Sequence, residues 1–194
     1  MKASFKMKYY SEHFKEYIDN TKDADMSFLY HFFENSLKKD AKHLLDIGFG
    51  SGRDSIYFKS KGYNVLSVDP TQEFCEYGKS IGLNVECKKA ENLEYHNEFD
   101  GIWACASLLH VSSKDLKRVF LRCYEALKDE GIMYASFKYG SFDGFRDDRY
   151  FLDLNEKSLL SYINDTNFKL LDTLITEDVR PDRNTKWLNI ILRK

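Results

Sequence analysis

A glycine-rich stretch between residues 46 and 54 carries the clearest chemical signal in the sequence. It runs Asp46-Ile47-Gly48-Phe49-Gly50-Ser51-Gly52-Arg53-Asp54, and it holds three of the chain's 10 glycines. Glycines let the backbone approach a ligand closely, and the N-terminus of a following helix offers free N–H groups to a carboxylate or phosphate. The stretch therefore predicts a ligand-binding turn between a strand and a helix.

Arg53 narrows the choice of ligand. A dinucleotide-binding turn has the pattern GxGxxG, in which the third glycine allows the helix to pack closely on the strand. Arg53 occupies the position of that third glycine, which argues against NAD. The P-loop pattern GxxxxGK[ST] does not occur in the sequence.

The spacing of the three glycines after Asp46 instead resembles motif I of the class I S-adenosylmethionine-dependent methyltransferases. Other segments resemble later motifs of that superfamily in the same order, and they are Val68-Asp69, Ala90-Glu91-Asn92, Phe99 to His110 and Leu127 to Ile132. Gly50 to Ser55, followed by Tyr57, is similar to the small tellurite-resistance methyltransferases and related small-molecule enzymes. The resemblance extends over roughly residues 40 to 192.

This resemblance implies S-adenosyl-L-methionine as cofactor and S-adenosyl-L-homocysteine as product. It implies that Asp69 accepts the ribose hydroxyls, and that Glu91 or Asn92, rather than Lys89, contacts adenine. The residues that it assigns to cofactor binding are Asp46, Gly48, Gly50, Gly52, Arg53, Asp69, Pro70, Glu91, Asn92, Ala104 and Cys105.

Three further loops are expected at the carboxyl ends of the strands, where open α/β sheets bind ligands. The first contains His110, which is either a base of near-neutral pKa or a structural hydrogen-bonding residue. The second is a long polar segment up to Asp153 that could act as a lid, and the third spans residues 177–186. The candidate catalytic residues are His110 and Tyr139, and the candidate substrate-binding residues are Lys138, Arg149, Tyr150, Arg180 and Arg183.

The two arginines of the third loop have alternative interpretations. Arg180 and Arg183 could clamp an anionic acceptor through paired hydrogen bonds, or they could pair with neighbouring aspartates on a solvated rim. A sulfonium methyl is already electrophilic, so alignment of the acceptor opposite the sulfur can supply much of the rate. The chemistry therefore requires no fixed catalytic residue.

Alternating apolar runs and amphipathic segments must position these loops. Strands are predicted over residues 43–47, 64–69, 83–87, 99–105, 132–137, 168–176 and 186–192. Helices are predicted near 5–20 and 26–37, over 53–61 and 71–81, from 113 to about 127, and near 155–164. Such alternation predicts an α/β, Rossmann-like sheet of seven mostly parallel strands with helices on both faces.

The end of the chain departs from this alternation. No helix separates the last two predicted strands, so they should form an antiparallel hairpin at the sheet edge and give the strand order 3-2-1-4-5-7-6. We expect one domain over residues 1–194, with a helical cap over 1–40 and a Rossmann-like core over 41–194. Within that cap, Tyr9, Tyr10, Thr21 and Met26 are placed to close the cofactor site, although core packing would also explain them.

Composition excludes several classes of protein. The formal net charge is -2, and no basic stripe suggests nucleic acid as a partner. No apolar run approaches the ~18 residues of a membrane span, and the first residues lack a secretory signal, so a cytoplasmic protein is expected. The four cysteines, Cys75, Cys87, Cys105 and Cys123, form no metal-binding pattern, so we expect reduced thiols and no metal site.

The sequence thus favours a methyltransferase that acts on a small molecule, with an anion as one candidate acceptor, as a monomer or a homodimer. An RNA or protein methyltransferase is the nearest alternative, although strand four ends in Ala104-Cys105-Ala106-Ser107 rather than in an [DN]PP[YF]-like motif. A non-catalytic protein that binds S-adenosylmethionine is a further alternative.

Overall fold

Short strands and helices alternate along the described part of the chain, residues 9–180 and 183–194 of the computed structural model. In chain order the strands are β1 His43–Ile47, β2 Asn64–Asp69, β3 Asn84–Cys87, β4 Phe99–Ala104, β5 Leu127–Lys138, β6 Asp143–Arg146, β7 Arg149–Leu152, β8 Lys169–Glu177 and β9 Lys186–Arg193. The helices are α1 Phe14–Thr21, α2 Ser27–Glu34, α3 Arg53–Ser60, α4 Gln72–Ser80, α5 Ser113–Ala126 and α6 Glu156–Ile163. Short 3₁₀ helices lie at Ala90–Asn92 and Leu108–His110.

Seven of the strands form one sheet in the order β3-β2-β1-β4-β5-β9-β8. Strands β1 to β5 pair in parallel, whereas β9 is antiparallel to both β5 and β8. This arrangement confirms the predicted sheet and its antiparallel terminal hairpin. The carboxyl ends of β1, β2 and β4 therefore lie at one edge, where the glycine turn follows β1.

The apolar residues of the sheet are buried on both faces by helices. On one face α5 and α6 pack against β4, β5 and β9 through side chains such as Phe120, Cys123 and Leu159. On the other face α2 and α3 contribute Phe33 and Phe58, which surround Trp103. The ring of Trp103 also stacks on Tyr134 with their centroids 4.0 Å apart. Such dense packing holds the strand ends in place.

Two segments differ from the predicted elements. The polar segment before Asp153 is not an open loop, because β6 and β7 form a separate two-stranded hairpin. Strand β5 begins at Leu127 rather than at Ile132, so residues 129–131, which precede the predicted strand, lie within it as an irregularity. Leu127 pairs with Phe99, and Ile132 pairs with Gly101. The residues of β5 between these two pairs outnumber those of β4, so they form a bulge.

The N-terminal segment divides into two parts. Residues 9–12 are helical and lead into α1, and together these residues, 9–21, form what we call the N-terminal cover. Helix α2 is instead part of the core, since Leu29, Tyr30 and Phe33 are buried. Residues 5–8 of the predicted first helix lie outside the described residues. Of the helices described, none is both long and apolar enough to cross a bilayer.

Candidate functional site

The glycine turn after β1 is shaped so that its backbone faces an open crevice. Gly48 has φ of +77° and Gly50 has φ of +50°. A Cβ on Gly48 would overlap the side chain of Ser107, and a Cβ on Gly50 would lie 2.9 Å from the ring of Tyr17. The Gly48 N–H donates to the Val68 carbonyl at 2.7 Å, which ties the turn to β2. The close approach of Ser107 and Tyr17 therefore requires glycine at these two positions.

A large cavity of about 660 Å³ extends from this turn to the ends of β2 and β3. Five residues predicted to bind the cofactor line it, and they are Gly48, Gly50, Asp69, Pro70 and Glu91. The Asp69 carboxylate accepts hydrogen bonds from the N–H groups of Thr71 at 2.8 Å and Gly50 at 3.4 Å. These two bonds orient the carboxylate at the end of β2, beside the cavity.

The N-terminal cover closes over the glycine turn with aromatic side chains. Tyr10 and Tyr17 meet edge to face with centroids 5.5 Å apart, and both rings contact Phe74 of α4. Burial raises the pKa of the Tyr17 hydroxyl well above its usual value. The guanidinium of Arg53 donates to the Thr21 carbonyl at 3.2 Å, which ties the cover to α3. The cover thus excludes water from one side of the crevice.

A smaller cavity of about 160 Å³ lies beside the first, and we call it the basic pocket. Its lining includes five cationic side chains, Arg53, Lys138, Arg149, Arg180 and Arg183, and three acidic ones, Asp54, Glu177 and Asp178. The predicted β8–β9 loop and the β6–β7 hairpin both reach this pocket. It therefore gathers cations from four separate parts of the chain.

Two of these cations are neutralised by carboxylates. Arg53 pairs with Asp54 at 2.6 Å, and Arg180 pairs with Asp178 at 2.9 Å. Arg180 thus bonds to its neighbouring aspartate, which is one of the two roles that the sequence left open.

The other three cations have no acidic partner within 4.0 Å among the described residues. Lys138 Nζ lies 4.5 Å from the centre of the Phe151 ring, and the Arg149 guanidinium lies 5.1 Å from the same ring. The buried Nε of Arg149 has no hydrogen-bond partner in the described structure. Burial lowers the pKa of Lys138, and the positive charges of Arg146, Arg149 and Arg183 lower it further. The pocket therefore has an excess of positive charge that favours an anion.

His110 stands between the two cavities and lines both of them. Its Nδ1 lies 2.7 Å from the backbone carbonyl of Tyr150, and its Nε2 lies 2.7 Å from the hydroxyl of Tyr10. A carbonyl can only accept a hydrogen bond, so in the neutral ring Nδ1 carries the hydrogen and Nε2 accepts from Tyr10. Tyr10, Tyr17, Gly48 and Ala106 likewise line both cavities, which places His110 at their junction.

Two buried carboxylates lie behind the glycine turn. Asp54 accepts hydrogen bonds from Arg53, from the Tyr30 hydroxyl at 2.6 Å and from Trp103 Nε1 at 2.9 Å. Asp46 accepts one from Ser55 Oγ at 2.6 Å, and it lies outside both cavities. Burial, together with the nearby charge of Asp54, raises the pKa of Asp46 to about 8. Asp46 thus supports the turn from behind rather than facing a ligand.

The raised pKa of Asp46 predicts a pH-dependent stability. An acid whose pKa is higher in the folded state than in the unfolded chain binds its proton more tightly when folded, so stability falls as pH rises between the two values. The ordinary value is 3.8 and the folded value about 8. We therefore expect Asp46→Asn to gain stability relative to the parent protein between pH 5 and pH 8.5, as measured by urea unfolding.

Asp100 provides the control for this measurement. Hydrogen bonds from His43 and Lys128 lower the pKa of Asp100 despite its partial burial, so this carboxyl group is already ionised at pH 5. Asp100→Asn should therefore destabilise the protein equally at both pH values. Parallel stability curves for the parent and Asp46→Asn would contradict the assignment of Asp46.

Four other residues predicted to act at the site also lie outside the linings of both cavities. Gly52 faces Leu83 and Ile81, so its contribution is to the packing of α3. Asn92 is exposed at the end of a 3₁₀ helix, and Ala104 is buried within the sheet. Tyr139 is 39% exposed, and its hydroxyl donates to Glu156 at 3.1 Å. Tyr139 thus lies apart from both cavities, with its hydroxyl bonded to Glu156.

The remaining predicted residues lie in the cavity linings. Arg53, Cys105, Lys138, Arg149, Arg180 and Arg183 line the basic pocket, and Tyr150 lines the large cavity. Sequence reasoning missed Tyr17, Asp54, Phe151 and Trp187, which also line these spaces. Three of these residues are aromatic, and aromatic residues are common in cores, so no local signal distinguished them. Asp54 lies within the glycine-rich stretch, but its type and position alone gave it no role. All four cysteines are free thiols, and no cluster that could hold a metal occurs in residues 9–180 and 183–194.

Comparison with known proteins adds independent information. Residues 44–131 match the family model of a methyltransferase domain. Over 130 residues the chain is 28% identical to a glycine/sarcosine N-methyltransferase of Halorhodospira halochloris, a match that covers 61% of this chain and 48% of that protein. Over 100 residues it is 33% identical to a ubiquinone biosynthesis O-methyltransferase of Nitrobacter winogradskyi, covering 48% of this chain and 37% of that protein. The chain thus matches about half or less of the length of these curated relatives.

Solved structures extend the likeness to nearly the whole chain. The structure of a 1,6-didemethyltoxoflavin-N1-methyltransferase of Burkholderia thailandensis, with bound 1,6-didemethyltoxoflavin and S-adenosylhomocysteine, superimposes with a TM-score of 0.80. The identity is 20%, and the match covers 99% of this chain and 88% of the other. At this identity the comparison establishes the fold.

Proposed function

We propose that the chain, whose residues 44–131 match a methyltransferase domain and whose fold is that of S-adenosylmethionine-dependent methyltransferases, transfers a methyl group to a small anionic acceptor. The observation that carries the proposal is the pairing of two adjoining cavities, of which the smaller has an excess of cationic side chains. One follows the glycine turn and is bordered by Asp69. The other is the basic pocket, where Lys138, Arg149 and Arg183 have no acidic partner within 4.0 Å among the described residues.

The residues around the large cavity fit S-adenosylmethionine. Gly48 and Gly50 line the cavity with bare backbone, because a Cβ at either position would clash with Ser107 or Tyr17. Asp69 lines the same cavity and can accept hydrogen bonds from two ribose hydroxyls. Glu91 lines the same cavity farther along, toward the end of β3. When bound, this cofactor supplies an electrophilic methyl group on its sulfonium sulfur.

The residues of this chain would then act mainly by positioning. Lys138, Arg149 and Arg183 would hold the anionic group of the acceptor, while Phe151 packs beneath it. The N-terminal cover would exclude water from the crevice through Tyr10 and Tyr17. Alignment of this kind can supply much of the acceleration of a displacement at carbon.

Calorimetry and a tritiated-methyl assay test the proposal. We expect S-adenosylhomocysteine to bind and NAD not to bind. In the transfer assay we expect methylation of glycine or 3-hydroxybenzoate, which carry a carboxylate, in preference to glycinamide and 3-hydroxybenzamide, in which an amide replaces it. Binding of the cofactor without transfer to any of the four compounds would favour a non-catalytic binding protein, and preference for the two amides would refute the anionic acceptor.

Lys138→Met should separate acceptor binding from cofactor binding. Loss of one charge-assisted contact of about 1.5–3 kcal/mol corresponds to a rise of about 10-fold to 160-fold in KM for the acceptor. The affinity for S-adenosylhomocysteine should stay unchanged, because Lys138 lines only the basic pocket. Lys157→Met, on the exposed face of α6, is the matched control and should change neither value. Equal losses of acceptor and cofactor affinity would indicate a structural role for Lys138.

A further inference from the structure

Tyr10 and His110 form a hydrogen-bonded pair at the junction of the two cavities. They are 100 residues apart in the chain, and their polar atoms lie 2.7 Å apart. The tyrosine belongs to the N-terminal cover, whereas the histidine follows β4. Both line the large cavity and the basic pocket, so a group that passes between these spaces passes this pair.

The direction of the hydrogen bonds in this pair is determined. Because His110 Nδ1 must donate to the Tyr150 carbonyl, Nε2 is an acceptor, and the Tyr10 hydroxyl donates to it. Arg149 also hydrogen-bonds to Tyr10 Oη, and the second lone pair of this oxygen remains available to accept a hydrogen bond from the acceptor. The pair therefore forms a directed chain that leads from Oη to the imidazole.

The surroundings keep Tyr10 protonated at neutral pH. Burial raises the pKa of its hydroxyl, Arg149 opposes this effect, and the charge of Asp69 and the Tyr9 hydroxyl reinforce it. His110 contacts the rings of Tyr10 and Phe151, which hold the imidazole in place. Tyr10 is thus suited to relay a proton rather than to act as a tyrosinate base.

We propose that Tyr10 and His110 form a proton relay for the acceptor, so that the methylated atom is an O–H or N–H group that loses its proton during transfer. This inference rests on the proposed function. The acceptor atom forms a bond to the methyl carbon as the bond from that carbon to sulfur breaks, and the sulfur keeps the bonding pair. The acceptor's proton passes to Tyr10 Oη, and the tyrosine's own proton passes to His110 Nε2.

The relay also gives the N-terminal cover a chemical role. His110 Nε2 faces Tyr10 rather than a ligand, so it reaches the acceptor only through the hydroxyl that the cover supplies. The imidazolium that forms keeps its Nδ1–H bond to the Tyr150 carbonyl, which stabilises the positive charge. The proton acceptor is therefore complete only when the cover lies over the crevice.

Nitrogen-15 NMR of histidine-labelled protein with S-adenosylhomocysteine tests the hydrogen bonds without any acceptor. We expect the neutral His110 to carry its hydrogen on Nδ1, and Tyr10→Phe to shift the Nε2 resonance while leaving Nδ1 nearly unchanged. A hydrogen on Nε2 in the neutral ring, or no shift in Tyr10→Phe, overturns the relay.

The pH profile of kcat for 3-hydroxybenzoate or glycine tests the chemistry. General-base catalysis contributes about 100-fold or more, so Tyr10→Phe and His110→Gln should each lower kcat by about that factor. KM should change little. The parent kcat should rise with pH through one ionisation that both variants lose. Tyr77→Phe, whose ring lies in the same aromatic cluster but outside both cavities, should match the parent.

The two proposals fail in distinguishable ways. A parent protein that does not bind S-adenosylhomocysteine refutes the proposed function. The relay alone is refuted if the parent protein methylates a probe and Tyr10→Phe leaves the pH profile of kcat unchanged. The same holds if Tyr10→Phe raises KM without lowering kcat. If neither probe is methylated, the NMR measurement still decides the hydrogen bonds on which the relay depends.

Discussion

Replacing Gly50 with valine is expected to weaken binding of S-adenosylhomocysteine at least about 100-fold, which corresponds to about 2.7 kcal/mol. Gly50 borders the large cavity, and a Cβ there would lie 2.9 Å from the ring of Tyr17. The two methyl groups of valine would extend farther into the crevice or displace the N-terminal cover. Calorimetric titration of the variant with S-adenosylhomocysteine measures the effect.

Gly62 provides a matched control for this substitution. It also has positive φ, +91°, but a Cβ there meets nothing within 4 Å. Gly62→Val should therefore incur a similar backbone cost and lower the unfolding midpoint, yet bind S-adenosylhomocysteine as the parent does. If Gly50→Val also retains parental affinity, the glycine turn does not hold the cofactor and the proposed function loses its main support.

Asp54→Ala is expected to lower the free energy of unfolding by about 3–5 kcal/mol, because it leaves a buried partner charge uncompensated. The side chain of Asp54 is 9% exposed, and that of Arg53 is 18% exposed. The substitution also removes the acceptor for the Tyr30 hydroxyl and for Trp103 Nε1. Unfolding in guanidinium, monitored by tryptophan fluorescence, measures the lost free energy of unfolding.

A surface ion pair provides the comparison for Asp54. Glu125 pairs with Arg122 at 3.5 Å on α5, and their side chains are 47% and 37% exposed. Glu125→Ala should change the midpoint only slightly, because exposed pairs contribute little to stability. Equal losses in the two variants would mean that the network of Arg53, Asp54, Tyr30 and Trp103 does not hold α2 and α3 to the sheet.

The architecture was predictable because its signals are local. Buried parallel strands appear as short apolar runs, and the helices between them show apolar residues at helical spacing. The absence of a helix between β8 and β9 predicted their antiparallel pairing. The bulge in β5 was not predictable from residue types. Glycine is the usual residue at positive φ, but here Glu130 has a φ of +62°.

The cavity linings were predictable only in part. Gly48, Gly50 and Asp69 were identifiable since their types and positions after strands carry a chemical meaning. Tyr139 lies outside both linings, because a position at the carboxyl end of a strand does not determine which side chain points inward. Tyr17 and Phe151 were missed because their types are equally common in cores.

By itself, the sequence determined the sheet order, the glycine turn and the gathering of basic residues at one edge, because hydrophobic periodicity and backbone freedom are properties of neighbouring residues. Only the tertiary structure decided which cations were neutralised and which were left facing the basic pocket. It also decided that Tyr10 meets His110 across 100 residues. Pairing energies depend on distance and burial in space, and these quantities are defined only once distant segments have packed together.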